Sequence, residues 1–397
     1  MPKILPDLQD AIEELNKPLW DGPYTETENG GLTYSLLSRF LCCRHRFWLR
    51  VIKGLKADEG FSYIMEYGNA WHYCEELFAA GKTMNVILAS LKVYCIKLAQ
   101  DHSTSSVEID KLYNCIKVEF PIYVTHWAKN EDVKKRTPIS QEKPFVVDYT
   151  LPSGRVVVLR GKIDSIDLID KGIWIQENKS KSDIKKEELQ SDLLCDLQSM
   201  MYIIAVQELI KQGNFDSSKE KYYKKIPVKG VRYNVVRRPL SGMRFNIKKK
   251  KGRGKKKVGA ETDEQFYTRL GTVIEANKPS FFARLKVEVT QKDVEQFKKW
   301  VLNPILEQLC DWYDSIKNNP FDPWNKWECK DDAEGFPNPK AGYEPVCPNK
   351  HHFLYPSGIY NYVLEGRKNP MDDLIYGGNE KGFSRANNLF PELQEVK

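Results

Sequence analysis

The sequence predicts an α/β chain. A strand–turn–strand signal over 155–179, further strand-like alternation before and after it, and helix-period apolar patterns on both sides carry that prediction. At 397 residues the chain can build one large or two ordinary domains and bury a sizeable core. Its 61 basic and 54 acidic residues leave a net charge of +7, compatible with a polyanionic partner without demanding one. A charged fraction of 29% and a mean hydropathy of −0.54 fit a soluble globular protein. There is no apolar run able to cross a bilayer, and residues 1–22 lack the apolar core of a signal peptide. The expected compartment is therefore cytoplasmic, with no membrane partner. Nine cysteines, an odd number at irregular spacing, do not form a secreted disulfide pattern, so reduced thiols with a candidate metal site are expected.

Residues 1–31 read as a peripheral lead-in, with prolines at 2, 6, 18 and 23 and a short helix near 8–15. Thr33 or Ser35 can cap a helix through LLSRFLCCRHRFWLRVIKGL, whose Arg39, Arg44, Arg46 and Arg50 either touch phosphates or form a solvated face. A helix over 63–80 follows, in which Gly68 permits close approach and His72 lies one turn on. Glu75 and Glu76 can point the same way. Residues 84–97 and 107–130 read as helical scaffold, with Cys74, Cys95 and Cys115 as small buried side chains. ISQEKPFVVDYT resumes strand alternation; its Glu142 can lie near the site or at the surface.

The hairpin comes next: a strand near 155–169, a turn at Asp170-Lys171-Gly172 and a strand over 173–179. Period two puts Glu177 and Lys179 on one face and Asn178 on the other, with Asp164 on the neighbouring strand. Two carboxylates and an ammonium converging there suit phosphodiester hydrolysis, because a hard divalent cation neutralises developing charge and lowers the pKa of water. Asp164 and Glu177 would hold Mg²⁺ or Mn²⁺ with the backbone carbonyl of Asn178, and Lys179 would orient water or stabilise transition-state oxygens. The bland alternative is a solvated, charged hairpin.

Residues 182–211 read as helical, with Gln198 and Tyr202 four apart on one face. A strand at KIPVKGVRYNVVRRP leads to a basic loop at 248–257. Lys248, Lys249, Lys250, Lys251, Arg253, Lys255, Lys256 and Lys257 could follow a nucleic-acid backbone, or the loop could simply be solvated. A helix over 261–274, a strand over 281–289 and a helix over 290–316 capped by Thr290 continue the same domain. From residue 318 the composition shifts to proline, glycine and aromatics, which could stack on unpaired bases or anchor an extended tail.

Taken in order, Gly68 to His72, Gly161-Lys162-Ile163-Asp164, Glu177-Asn178-Lys179 and Gln198 to Tyr202 resemble the PD-(D/E)XK nuclease superfamily, especially its RecB-like and Cas4-like branch and related phage exonucleases. The resemblance runs from about residue 33 to 360. It implies a mixed β-sheet flanked by helices, Asp164 and Glu177 as metal ligands, His72 as a further ligand and Lys179 as the catalytic lysine. Gln198 and Tyr202 become a DNA-contacting or site-organising pair. The implied organisation is a lead-in at 1–31, a nuclease domain at 32–317 and an extension at 318–397. The implied activity is a metal-dependent DNA nuclease, an exonuclease of recombination, repair or phage DNA processing, in the host cytoplasm if phage-encoded. Its partners would be DNA and a recombination or replication protein. A noncatalytic DNA-binding component of a recombination complex and an RNA nuclease stay open as alternatives. Relatives with an iron-sulfur cluster use one early and three late cysteines. Here Cys42 or Cys43 matches the early one and Cys329 and Cys347 two late ones, and none follows, so a fourth ligand would be the other early cysteine, His351 or His352. That set would give an altered iron-sulfur cluster or a Zn²⁺ site, and the favoured alternative is a tail that retains the general closure without an intact iron-sulfur centre.

Overall fold

The computed structural model describes residues 17–42, 44–57, 61–128, 130, 135–185, 189, 193, 196–239, 262–318 and 383–393. In chain order, α1 (Tyr34–Cys42) leads through helical turns at Arg44–Phe47 and Trp48–Ile52 to β1 (Leu55–Ala57). Helices α2 (Tyr63–Ala79), α3 (Met84–Asp101) and α4 (Ser106–Trp127) precede β2 (Thr137–Thr150), β3 (Val156–Ile169) and β4 (Gly172–Lys181). Then come α5 (Leu197–Gln212), β5 (Val228–Arg237), α6 (Asp263–Ala276), β6 (Phe282–Glu288), α7 (Gln291–Phe297), α8 (Asn303–Asn318) and β7 (Phe383–Arg385).

One five-stranded sheet runs β2-β3-β4-β5-β6, and β1 pairs separately with β7. The large sheet is mixed: β4 and β5 are parallel and every other neighbouring pair is antiparallel. Parallel pairing needs a crossover, which α5 supplies between β4 and β5. The turn between β3 and β4 holds Asp170 and Lys171 at φ 47° and 59°, the pair of left-handed residues that a two-residue hairpin of matching twist requires. Gly172, read from sequence as part of that turn, begins β4 instead. A Cβ there would meet the Lys229 side chain at 2.3 Å, so the small residue makes room for the next strand.

Alternate residues of the strands, among them Val157, Leu159, Ile173, Ile175, Val231, Tyr233 and Val235, are buried on one face against α1, α5 and α8. Residues 17–31, expected to be peripheral, contribute Trp20 to this core at 1% exposure. Its Nε1 donates to the Gly31 carbonyl at 3.0 Å and its ring meets Phe47 edge to face. A second core joins Tyr67, Trp71 and Cys74 of α2 to α3, α4 and α6, and reaches the sheet at Val236 and Phe282. Cys74, Cys95 and Cys115 are buried free thiols, as expected. No described helix is long and apolar enough to cross a membrane.

Two of the expected helices gain detail. Within the pattern over 182–211, Leu189 and Leu193 are helical, and α5 is begun by Asp196, whose side chain accepts from the Ser199 amide at 3.0 Å. The end of β5 ties down the start of this segment: Arg238 N–H donates to the Lys181 carbonyl and Arg237 Nε to that of Ser182. The helix expected over 290–316 is divided into α7 and α8 by a π turn at Lys298–Leu302. Pro304 follows that turn and has no N–H for the regular ladder. Thr290 caps α7 as expected.

Trp20→Ala should destabilise the chain by about 3–5 kcal/mol. Asp196→Ala should remove about 1 kcal/mol by uncapping α5. Urea midpoints of the two variants against the parent check the ranking.

Candidate active site

The site begins where two strands part. β3 and β4 stay paired from Ile169↔Gly172 to Ser165↔Gln176, and Asp164 and Glu177 are the next residues on each strand. Beyond that point the Asn178 amide no longer finds a β3 carbonyl, and it donates instead to Oδ2 of Asp164 at 2.7 Å. On the other side of β3, the register with β2 pairs Gln141 with Ser165 and Lys143 with Ile163, which places Glu142 opposite Asp164. Glu142 adopts φ 47°, a left-handed conformation strained for a non-glycine residue. Its carboxylate is tied to Lys162 Nζ at 2.8 Å.

Helix α2 brings His72 over this pair. Nδ1 lies 3.6 Å from Glu142 Oε1 and 3.6 Å from Asp164 Oδ2. One donor atom from each of His72, Glu142 and Asp164 falls within 4.8 Å of the other two. A Cβ at Gly68 would make only an ordinary 3.8 Å contact with Ser180 Oγ, so α2 does not need that glycine to sit on β4. Gly161 is different: a Cβ there would come within 2.9 Å of Phe145 and 3.2 Å of Tyr202, whose rings cross at this residue.

Lys179, Glu177 and Gln198 form a closed hydrogen-bonded ring beside the cluster. Lys179 Nζ donates to Glu177 Oε1 at 2.6 Å and to Gln198 Oε1 at 2.7 Å, while Gln198 Nε2 donates back to Glu177 Oε1 at 2.8 Å. Gln198 Nε2 also reaches the Tyr202 hydroxyl at 3.3 Å. The ring fixes the Lys179 ammonium without a flexible side-chain search. Glu177 is 4% exposed, and its Oε2 is buried with no hydrogen-bond partner among the described residues.

The electrostatics reflect carboxylates crowded in a poorly solvated place. Burial, with Asp164 nearby, pushes Glu177 up to about 7 despite the neighbouring Lys179. Burial likewise raises Asp164, against the pull of His72 and the Asn178 amide. Burial also works against the charged form of Glu142, but His72 and Lys162 outweigh it and its pKa falls. For His72 burial acts downward, yet Asp164 and Glu142 prevail and raise it to about 9. Lys179 is raised by Glu177 in spite of its burial and stays an ammonium.

This donor set fits a divalent cation. Two carboxylates face each other with an imidazole above them, and an unpartnered carboxylate oxygen lies alongside, a mixed oxygen and nitrogen environment suited to Mg²⁺ or Mn²⁺. The sequence singled out His72, Asp164, Glu177, Lys179, Gln198 and Tyr202, and all lie here. Glu142, which sequence placed equally well at the surface, belongs to the cluster, whereas Glu177 sits beside it. Only the run of four polar residues Ser140-Gln141-Glu142-Lys143, breaking the strand alternation, marks that left-handed kink in the sequence. The Asn178 backbone contributes its N–H to Asp164.

Other candidates lie elsewhere. Arg44 stacks over Phe40 at 5.2 Å, beside the α1 core. Of Arg46 only the backbone is described. Cys42 is half-buried. Cys43, Cys329, Cys347, His351, His352 and the basic residues Lys248, Lys249, Lys250, Lys251, Arg253, Lys255, Lys256 and Lys257 fall outside the described residues, as does the helix expected near 8–15.

No curated protein matches the chain. A family model described as the PD-(D/E)XK nuclease superfamily matches residues 31–331, a span that takes in the cluster, the Lys179 ring and all five strands of the large sheet. The chain belongs to the PD-(D/E)XK nuclease superfamily.

Proposed function

We propose that the chain is a divalent-metal-dependent DNA nuclease that shortens strands from an end, in recombination, repair or phage DNA processing, as in the RecB-like and Cas4-like branch. The observation that carries this reading is the meeting of His72, Glu142 and Asp164 next to an ammonium held rigid by Glu177 and Gln198. In this reading His72, Glu142 and Asp164 would hold the cation, with the unpartnered oxygen of Glu177 as a further candidate ligand. A bound cation would supply charge neutralisation at the scissile phosphate and a more acidic water. Lys179 stabilises the charge growing on the non-bridging phosphate oxygens. Gln198 and Tyr202 keep Lys179 and Glu177 in register.

The direct test is cleavage of end-labelled linear and covalently closed DNA, single and double stranded, with Mg²⁺ or Mn²⁺. Shortening confined to linear DNA is expected. Asp164→Ala and Lys179→Ala should each lower turnover by at least about a hundred-fold while much of the DNA affinity persists. Equal turnover in the parent and both variants would sink the assigned chemistry.

Metal uptake should depend on pH through His72, since its imidazole must lose a proton to become a ligand. With its pKa near 9 in the metal-free chain, Mn²⁺ affinity should climb with pH up to about 9, releasing a proton that calorimetry in buffers of different ionisation heat can count. Stability runs the other way. A histidine raised from 6.5 to about 9 stabilises the metal-free fold fully below 6.5, and that contribution disappears as pH rises through 9. Glu177, raised from 4.5 to about 7, acts in the same direction at lower pH. The melting temperature in chelator should therefore decline from about pH 5 to 9, and Mn²⁺ should restore it most at the alkaline end.

A further inference from the structure

The face of the sheet turned toward α2 and α4 is polar and buried. Cross-strand partners on β4, β5 and β6 are joined along it: Asn234 Nδ2 donates to Asn178 Oδ1 at 3.0 Å, and Arg284 Nε donates to Asn234 Oδ1 at 2.6 Å. Between this face and the two helices lies a cavity of about 240 Å³. Glu142 and Asp164 line it, so it shares a wall with the metal cluster. Val124 and Trp127 of α4 line the helix side, and the exposed Ala79 and Ala128 mark where it meets solvent. The volume corresponds to about eight water molecules at liquid density. That is room for one nucleobase with its sugar.

The lining argues for a neutral occupant. Glu75, Glu76, Glu142 and Asp164 surround the cavity, which disfavours a second phosphate away from the cation. Its cationic groups already have partners: Arg136 forms an ion pair with Asp167 at 2.8 Å, and Arg284 lies 4.2 Å over the Trp127 ring. Asn178, only 6% exposed, behaves differently. Its Oδ1 accepts from both Gln176, at 3.3 Å, and Asn234, so the amide orientation is fixed and Nδ2 is left for the cavity. A fixed amide at the rim of a nucleobase-sized space is a base-edge donor.

We propose that this cavity seats the base of the strand's terminal nucleotide and that Asn178 donates to that base through Nδ2. The inference rests on the nuclease reading and deepens it. The backbone of Asn178 holds Asp164 while its side chain holds the base, so one residue sets the distance between the scissile phosphate and the strand end.

Two measurements separate this subsite from the nuclease reading. The first is calorimetric titration of the intact chain, in Mn²⁺, with deoxyadenosine monophosphate and with base-free deoxyribose 5-phosphate. The nucleotide should bind at least ten-fold more tightly, and Val124→Trp, which fills the cavity, and Asn178→Ala should each remove that difference. Equal binding of the two ligands to the parent chain overturns the proposal, and this comparison needs no variant to fold. The second measures shortening of linear DNA ending in an intact or an abasic nucleotide. Removal of the abasic terminus should be at least ten-fold slower. Equal rates, or base-dependent cutting of closed circles, overturn the terminal subsite and leave the nuclease reading standing. Absence of cleavage on every substrate instead defeats the nuclease reading, while the titration still decides the cavity.

Discussion

The hydrogen bond from the Asn178 amide to Asp164 is the hinge of the whole site. It exists because β3 and β4 separate at the Ser165–Gln176 pair, leaving one backbone donor unclaimed inside the protein. A carboxylate placed there satisfies the donor and is oriented by it. The same parting opens room for His72 from above and lets Glu142 face Asp164 from the adjacent strand. Had the two strands stayed paired, the carboxylates would lie in a closed ladder with no volume between them.

Two further constraints hold the arrangement rigid. On one face, apolar residues of the strands pack against α5, which fixes Gln198 and hence the Lys179 ring. On the other, charges are buried in mutual compensation: Arg232, 1% exposed, bonds Asp167 Oδ2 at 2.9 Å, and Arg136 bonds Oδ1 of the same residue. Removing either arginine would leave buried charge uncompensated, a larger loss than the pair's own net contribution. The polar face is thus stiff in the direction that matters for placing Asn178 and Asn234.

Much of this was legible along the chain. The hairpin, the helix bearing His72 and the helix bearing Gln198 and Tyr202 each follow from local periodicity, and their order supported the family resemblance. What escaped was set by distant contacts. The place of Glu142 depends on one left-handed residue in a strand, for which the sequence offers no glycine or asparagine as a signal. Pro304 was visible, but the π turn before it was not. The cavity joins α4 to Arg284 on β6, a meeting no local pattern foretells.

The parallel pairing of β4 with β5 bears on the life of the growing chain. Asn178 is locked by Asn234, and β5 finds β4 only after the whole α5 crossover has been made. Parallel pairings of this span close slowly because the loop entropy precedes the reward. Every residue of the carboxylate cluster and of the Lys179 ring precedes β5 in the chain, whereas Asn234, which holds the Asn178 side chain, arrives with it. The parallel strand is therefore the last to reach β4, and it completes the polar wall beside the carboxylates rather than the carboxylate cluster itself.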